Sequence, residues 1–87
     1  MTRQVLLSGS ANRTFSDLPD RARQRIHSAL TQLASSGRGD VKRLRGTRGR
    51  EDLFRLRVGD YRVIFALAST EIRVIRILHR SEGYDWL

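Results

Sequence analysis

The chain of 87 residues contains no cysteine, and this absence excludes several kinds of chemistry. Disulfides, thiolate zinc sites and a cysteine nucleophile are all ruled out. Proline and tryptophan occur once each, and no apolar run approaches the ~20 residues that span a bilayer. No basic start is followed by an apolar stretch, so we expect no secretory signal. These absences fit a cytoplasmic protein without a membrane segment.

Acidic residues are scarce, with 9 Asp and Glu against 17 Lys and Arg, which gives a formal net charge of +8. Lys42 is the only lysine. A GC-rich genome would explain the choice of arginine over lysine, but not the excess of basic over acidic residues. The charge therefore favours a polyanionic partner, which is a nucleic acid, an acidic protein or an anionic membrane surface.

The length predicts one small domain that spans residues 1–87. Apolar residues make up 39% and charged residues 30% of the chain, which indicates a thin core rather than disorder. Domains of this size bury only about 60% of their unfolded surface, so a binding partner would add to a modest intrinsic stability.

The first half of the chain predicts a strand and two helices. Gln4–Leu7 is a short apolar run, which is typical of a strand. A first helix follows, with Ala11, Phe15 and Leu18 on one face and Ser10 as its N-cap. A second helix has Pro19 in its first turn and an apolar stripe over Ala22–Leu33, and it ends at Ser35-Ser36-Gly37. Arg38–Arg50 is rich in Gly and Arg, which predicts a basic loop.

The second half predicts three strands. Their ranges are Leu53–Val58, Tyr61–Leu67 and Ile72–Leu78. The order β-α-α-β-β-β indicates an α+β fold, in which an N-terminal strand, an α-helical hairpin and a three-stranded antiparallel meander form one sheet.

Gly59-Asp60 has the length of a two-residue hairpin turn, and such a turn fixes the strand register. The register places Arg57 opposite Arg62, with Arg55 diagonal to them, on the face away from the helices. Like charges in opposite positions destabilise a sheet. Either solvent and local acids or a bound anion must offset this repulsion, and the planar arginine fork suits phosphate.

The register of the last strand has two alternatives. A two-residue turn at Ser69-Thr70 would place Val63 opposite Arg76, which puts Arg76 and Arg80 on the core side. Unpaired arginines are rare there. A longer turn or a bulge near Ser69–Glu71 would reverse the faces. Both alternatives stay open at this point.

Leu53–Phe65, read as LFRLRVGDYRVIF, closely resembles the core of the RelE/ParE superfamily of toxins. Val74–Tyr84 with its His79-Arg80 pair resembles the family's last strand and tail, and Lys42–Gly46 resembles the loop before the sheet. The resemblance implies a type II toxin–antitoxin system in a bacterial or archaeal cytoplasm. It also implies a hetero-oligomer with a small acidic antitoxin.

Members of the superfamily differ in activity. RelE-like members are ribosome-dependent endoribonucleases that cut mRNA and inhibit translation, without metal or cofactor. ParE-like members inhibit DNA gyrase and carry no nuclease site. Because the fold does not decide between them, three functions stay open: an mRNA interferase, a gyrase inhibitor and a basic nucleic-acid-binding homologue without catalysis.

The resemblance assigns roles to individual residues. It matches Arg62 and Arg80 to arginines that contact the scissile phosphate, and Tyr84 to a tail tyrosine that stacks on a base or aids proton transfer. Arg55 matches a basic residue on the strand before the turn. The residues expected to bind the RNA backbone are Lys42, Arg43, Arg45 and Arg57.

The sequence departs from the ribonuclease pattern at one point. Some members place two lysines on the strand before the turn, where this chain has Leu53 and Arg55. Arginine keeps its proton and is a poor general base. His79 is then the nearby side chain of a type that titrates near neutral pH. It is either catalytic or a strand-end histidine bonded to the backbone.

Overall fold

Two helices and five strands make up the described part of the chain, which is residues 2–44 and 52–83 of a computed structural model. They are β1 (Gln4–Leu7), α1 (Gly9–Asp17), α2 (Asp20–Ser36), β2 (Val41–Arg43), β3 (Leu53–Val58), β4 (Tyr61–Leu67) and β5 (Glu71–His79). The sheet order is β1-β5-β4-β3-β2, with β1 parallel to β5 and the other pairs antiparallel. The predicted α+β fold is confirmed. Neither helix is long and apolar enough to cross a membrane.

The helix ends differ by one or two residues from the prediction. Ser8, not Ser10, caps α1, since its hydroxyl accepts the Ala11 N–H at 3.0 Å. Pro19 lies one position before α2 rather than inside its first turn. Gly37 ends α2 as predicted, in a left-handed conformation with φ 73° that suits a residue without Cβ.

The main core lies between the two helices and one face of the sheet. Apolar stripes at helical spacing on α1 and α2 meet the side chains of alternate strand positions. The buried members are Ala11, Ile26, Leu30, Leu33, Ala34, Leu56, Val58, Val63, Phe65, Ile72, Val74 and Ile77. The opposite face of the sheet, which we call the outer face, has no helix packed on it within the described residues.

Strand β2 lies inside the segment that the sequence predicts as a loop, so this prediction is wrong at Val41–Arg43. The strand pairs with β3 in antiparallel register, with Lys42 opposite Arg55. All three of its residues are exposed, and three residues are too few to show an alternating pattern. Only the pairing with β3 reveals this edge strand.

The β3–β4 hairpin has the predicted register, with Arg57 opposite Arg62. Gly59 in its turn has φ 57°, which favours glycine. Between β4 and β5 the two-residue-turn register holds at Phe65↔Val74 and shifts by one at Ile64↔Arg76.

Ile75 is therefore the extra residue of a β-bulge, which lies in the middle of β5 rather than near Ser69–Glu71. Beyond this bulge the faces of β5 are reversed. Arg76 shares the face of Ile64, and Ile77 turns toward the helices. The Ser8 hydroxyl donates a hydrogen bond of 2.7 Å to the Ile75 carbonyl, and so α1 and the bulge are fixed by the same side chain.

Candidate nucleic-acid interface

The outer face of the sheet collects basic side chains from four neighbouring strands. Cross-strand partners share a face, so Lys42 of β2 joins Arg55 of β3, and Arg57 joins Arg62 of β4. The bulge adds Arg76 of β5 opposite Ile64. The predicted crowding of guanidinium groups on this face is confirmed by the strand register.

An apolar cluster lies among these cations, and the sequence did not predict it. Leu53, Ile64, Ala66 and Leu78 are each at most 5% exposed, and Leu44 and Ile75 pack against them. The cluster shares its face with the basic side chains because Leu53, Ile64 and Ala66 alternate along their strands with inward-facing core residues. The outer face is thus a packed apolar centre with cations around it.

Arg55 is a largely enclosed cation on this face. Its side chain is 19% exposed, and its Nη2 lies 3.7 Å from Asp40 Oδ1. That distance is too long for a hydrogen bond. Its buried Nε has no hydrogen-bond partner in the described part of the chain. Arg55 is consequently enclosed, and its Nε is under-bonded within the described residues.

Arg62 and Arg80 both lie against the Gly59-Asp60 turn. Arg62 Nη1 donates to the carbonyl oxygens of Gly59 at 3.4 Å and of Tyr61 at 3.2 Å. Arg80 Nε is 3.7 Å from Asp60 Oδ1, and the Arg80 backbone N–H donates to the Asp60 carbonyl at 2.7 Å. The two arginines that the resemblance assigns to the phosphate therefore converge on one turn at the end of the sheet.

His79 lies on the helix side of the sheet. It pairs with Tyr61, and the two rings meet edge to face with centroids 5.5 Å apart. Tyr61 packs against the main core. The His79 Nδ1 lies 2.9 Å from the Ser81 hydroxyl and accepts the Ser81 N–H at 3.3 Å. The ring is thus bonded to the backbone at the end of the strand, and it faces the helix side rather than the outer face.

The basic segment before the sheet is divided between the two faces. Arg43 is opposite Phe54 and so faces the helix side, where its Nη2 pairs with Asp52 Oδ1 at 2.8 Å. Among the described basic residues of this segment, Lys42 is the one that shares the outer face with Arg55. Arg45 and Tyr84, both expected at the site, lie outside the described residues.

The comparisons with known proteins agree with this architecture. A family model described as ParE toxin of type II toxin-antitoxin system, parDE, matches residues 5–84. No curated protein sequence matches the chain. Among solved structures, the archaeal RelE-RelB complex from Pyrococcus horikoshii OT3 contains a chain that is 28% identical. The TM-score is 0.76, and the match covers 95% of this chain and 100% of that chain.

Two further structures share the fold. The RelB-RelE antitoxin-toxin complex from Methanococcus jannaschii has 24% identity and a TM-score of 0.70, over 94% of this chain and 98% of that one. The toxin-antitoxin complex RelBE2 from Mycobacterium tuberculosis has 22% identity and a TM-score of 0.77, over 94% and 95%. Because the family model spans nearly the whole chain, the protein belongs to the RelE/ParE family of type II toxin–antitoxin toxins.

Proposed function

We propose that this toxin is a ribosome-dependent mRNA endoribonuclease that inhibits translation in the cytoplasm. The observation that carries the proposal is the opposed pair Arg57 and Arg62 with the under-bonded Arg55 beside it. Cations in opposite positions repel. An RNA phosphate bound to both guanidinium groups would offset this repulsion. The RNA-binding face extends from Lys42 through Arg55, Arg57 and Arg62 to Arg76 and Arg80.

The proposed reaction uses the RNA's own 2′-hydroxyl as the nucleophile. It requires alignment of that oxygen with the phosphate, stabilisation of the phosphorane charge, and two proton transfers. Arg55 and Arg62 supply the charge stabilisation, and their planar forks fix the phosphate oxygens. Lys42 and Arg57 hold the neighbouring backbone, which positions the RNA without reading its sequence.

We also propose that a small acidic antitoxin neutralises the toxin in a hetero-oligomer. The toxin's net charge of +8 supports an acidic partner. The similar chains from Pyrococcus horikoshii and Methanococcus jannaschii were solved in complex with a RelB antitoxin.

The test is induction of the toxin without antitoxin, followed by mapping of mRNA 5′ ends. The expected result is growth arrest with new 5′ ends inside translated codons. Arg62→Ala should abolish both effects, because it removes a phosphate ligand. Arg13→Ala is the matched control, since Arg13 is exposed on α1 on the helix side. Growth arrest with intact transcripts would refute the proposal.

A gyrase inhibitor is the second candidate, and two observations favour it. The matching family model is described as a ParE toxin, and His79 faces the helix side rather than the outer face. This candidate predicts accumulated gyrase–DNA breaks and unchanged mRNA in the same induction experiment. RNA binding without cuts or breaks would instead identify a non-catalytic homologue.

A further inference from the structure

The proposed cleavage needs two groups that move protons, and among the described residues neither Arg55 nor His79 supplies one on the outer face. Arginine effectively keeps its proton. His79 faces the helix side. Strand β2, which the sequence pattern did not predict, brings two other groups to the cations.

These groups are the side chains of Asp40 and Lys42. The Asp40 carbonyl accepts the Arg57 N–H at 3.0 Å, so Asp40 continues the β2 ladder opposite Arg57. Lys42 is opposite Arg55. Residues two apart on a strand share a face and lie about 6.6 Å apart along it. Lys42 is thus directly opposite Arg55 on the outer face and Asp40 is diagonal to it, with Asp40 Oδ1 3.7 Å from Arg55 Nη2.

We propose that Asp40 is the general base and Lys42 the general acid of the cleavage, with the scissile phosphate bound on Arg55 between them. This assignment rests on the proposed function. The Asp40 carboxylate takes the 2′-hydroxyl proton, the 2′-oxygen forms its bond to phosphorus, and the bond from phosphorus to the 5′-oxygen breaks. The Lys42 ammonium gives its proton to that 5′-oxygen. The products are a 2′,3′-cyclic phosphate and a 5′-hydroxyl, and exchange with water restores both side chains.

The chemistry and exposure of both groups fit these roles. A carboxylate accepts a proton and an ammonium donates one, which no guanidinium group on this face does near neutral pH. The Asp40 side chain is 60% exposed and Lys42 is exposed, so a docked RNA reaches both. The Asp40–Arg55 contact is longer than a hydrogen bond, which leaves carboxylate lone pairs open.

The spacing of the pair also suits in-line displacement. The attacking and leaving oxygens lie on opposite sides of the phosphorus, so the base and the acid must approach from opposite sides. Asp40 lies one row away from Lys42, opposite Arg57, so the carboxylate and the ammonium approach the Arg55 guanidinium from different rows of the sheet. Two other described acids have different partners, with Glu71 near Arg73 at 4.0 Å and Asp60 beside Arg80.

The test compares two substrates on programmed ribosomes with purified full-length toxin. One is an ordinary mRNA, and the other carries a bridging sulfur in place of the 5′-oxygen at the cut site. A thiolate leaves without protonation, so it needs no general acid. Lys42→Arg should cut the ordinary mRNA about 10²–10⁴-fold more slowly. It should cut the sulfur substrate at close to the wild-type rate and bind mRNA as the wild type does.

Asp40→Asn should behave differently, because both substrates need removal of the 2′-hydroxyl proton. Its cleavage rate should fall by about 10²–10⁴-fold on both substrates. Asp17→Asn, at the exposed end of α1 on the helix side, is the matched control. Urea unfolding of each variant checks that the fold is retained.

Several outcomes would overturn the assignment. Lys42→Arg with a rate within about threefold of the wild type would make the lysine a phosphate ligand only. If the cleavage rate of Lys42→Arg is as low on the sulfur substrate as on the ordinary mRNA, Lys42 is not the general acid. If Asp40→Asn cuts both substrates at close to the wild-type rate, Asp40 is not the general base. A wild-type toxin that cuts no mRNA would overturn the proposed function as well, whereas active variants of a cutting toxin overturn the assignment alone.

Discussion

Replacing Ser8 by alanine tests how the bulge in β5 is maintained. The Ser8 hydroxyl accepts the Ala11 N–H at the start of α1 and donates to the Ile75 carbonyl at 2.7 Å. Ile75 is the extra residue of the bulge, and a bulged residue has no partner in the ladder. Ser8→Ala removes one oxygen atom, and with it both the N-cap of α1 and the contact with the bulge.

The expected loss follows from these two contacts. Removal of a serine N-cap costs roughly 0.5–2 kcal/mol. A partly buried carbonyl left without a donor costs a further ~1–3 kcal/mol. Together they predict a decrease of about 1.5–5 kcal/mol in the free energy of unfolding. That is a large share of the roughly 4–13 kcal/mol expected for a domain of this length.

Urea unfolding followed by circular dichroism measures this loss. Ser8→Thr retains the hydroxyl and should recover most of the stability. Ser16→Ala, at an exposed position of α1, should be neutral or gain a few tenths of a kcal/mol from helix propensity. Deletion of Ile75 removes the bulge residue and its carbonyl, so Ser8→Ala in that background should cost only ~1 kcal/mol.

Either of two results would refute the claim that the Ser8 hydroxyl stabilises the bulge. One is a loss below about 1 kcal/mol for Ser8→Ala, which would mean that the Ile75 carbonyl is satisfied without this hydroxyl. The other is an equal cost of Ser8→Ala with and without Ile75, since independent contacts give no coupling energy.

Two further predictions concern the outer face. Arg57→Thr should raise the free energy of unfolding by roughly 0.2–1 kcal/mol at low salt, because it removes the repulsion by Arg62. The gain should exceed that of Arg13→Ala, and it should disappear near ~1 M salt, where screening is nearly complete. Urea unfolding at two salt concentrations measures this gain. A decrease in the free energy of unfolding of Arg57→Thr would contradict the prediction. Ile64→Ala should cost ~2–5 kcal/mol in the same assay, as Ile26→Ala does in the main core, because both side chains are fully buried. A cost below ~1 kcal/mol would show that the outer apolar cluster is loosely packed.

The sequence predicts the β3–β4 hairpin well because its information is local. Gly59-Asp60 sets a two-residue turn, and that turn alone places Arg57 opposite Arg62. The N-cap of α1 is different, since Ser8 and Ser10 flank Gly9 with similar local patterns. The contact with the Ile75 carbonyl, 67 residues away in sequence, distinguishes Ser8.

Strand β5 shows why the remainder of the site was not predictable. Apart from Arg73 and Arg76, its residues from Ile72 to Leu78 are apolar, and they belong both to the main core and to the outer apolar cluster. Period-two alternation therefore cannot indicate which residues face outward. The single extra residue at Ile75 decides the faces of everything after it, and no turn signal marks a bulge in the middle of a strand.

The alternation of side chains along β5 limits which of its residues can act together on the outer face. His79 and Arg80 are adjacent, and adjacent strand residues point to opposite faces. Arg76 and His79 are three positions apart, so a regular strand also places them on opposite faces. The bulge that brings Arg76 to the outer face necessarily turns His79 toward Tyr61. Among the described residues, the proton-transfer groups that we propose for a site on the arginines therefore lie on and beside β2, which pairs with the strand of Arg55.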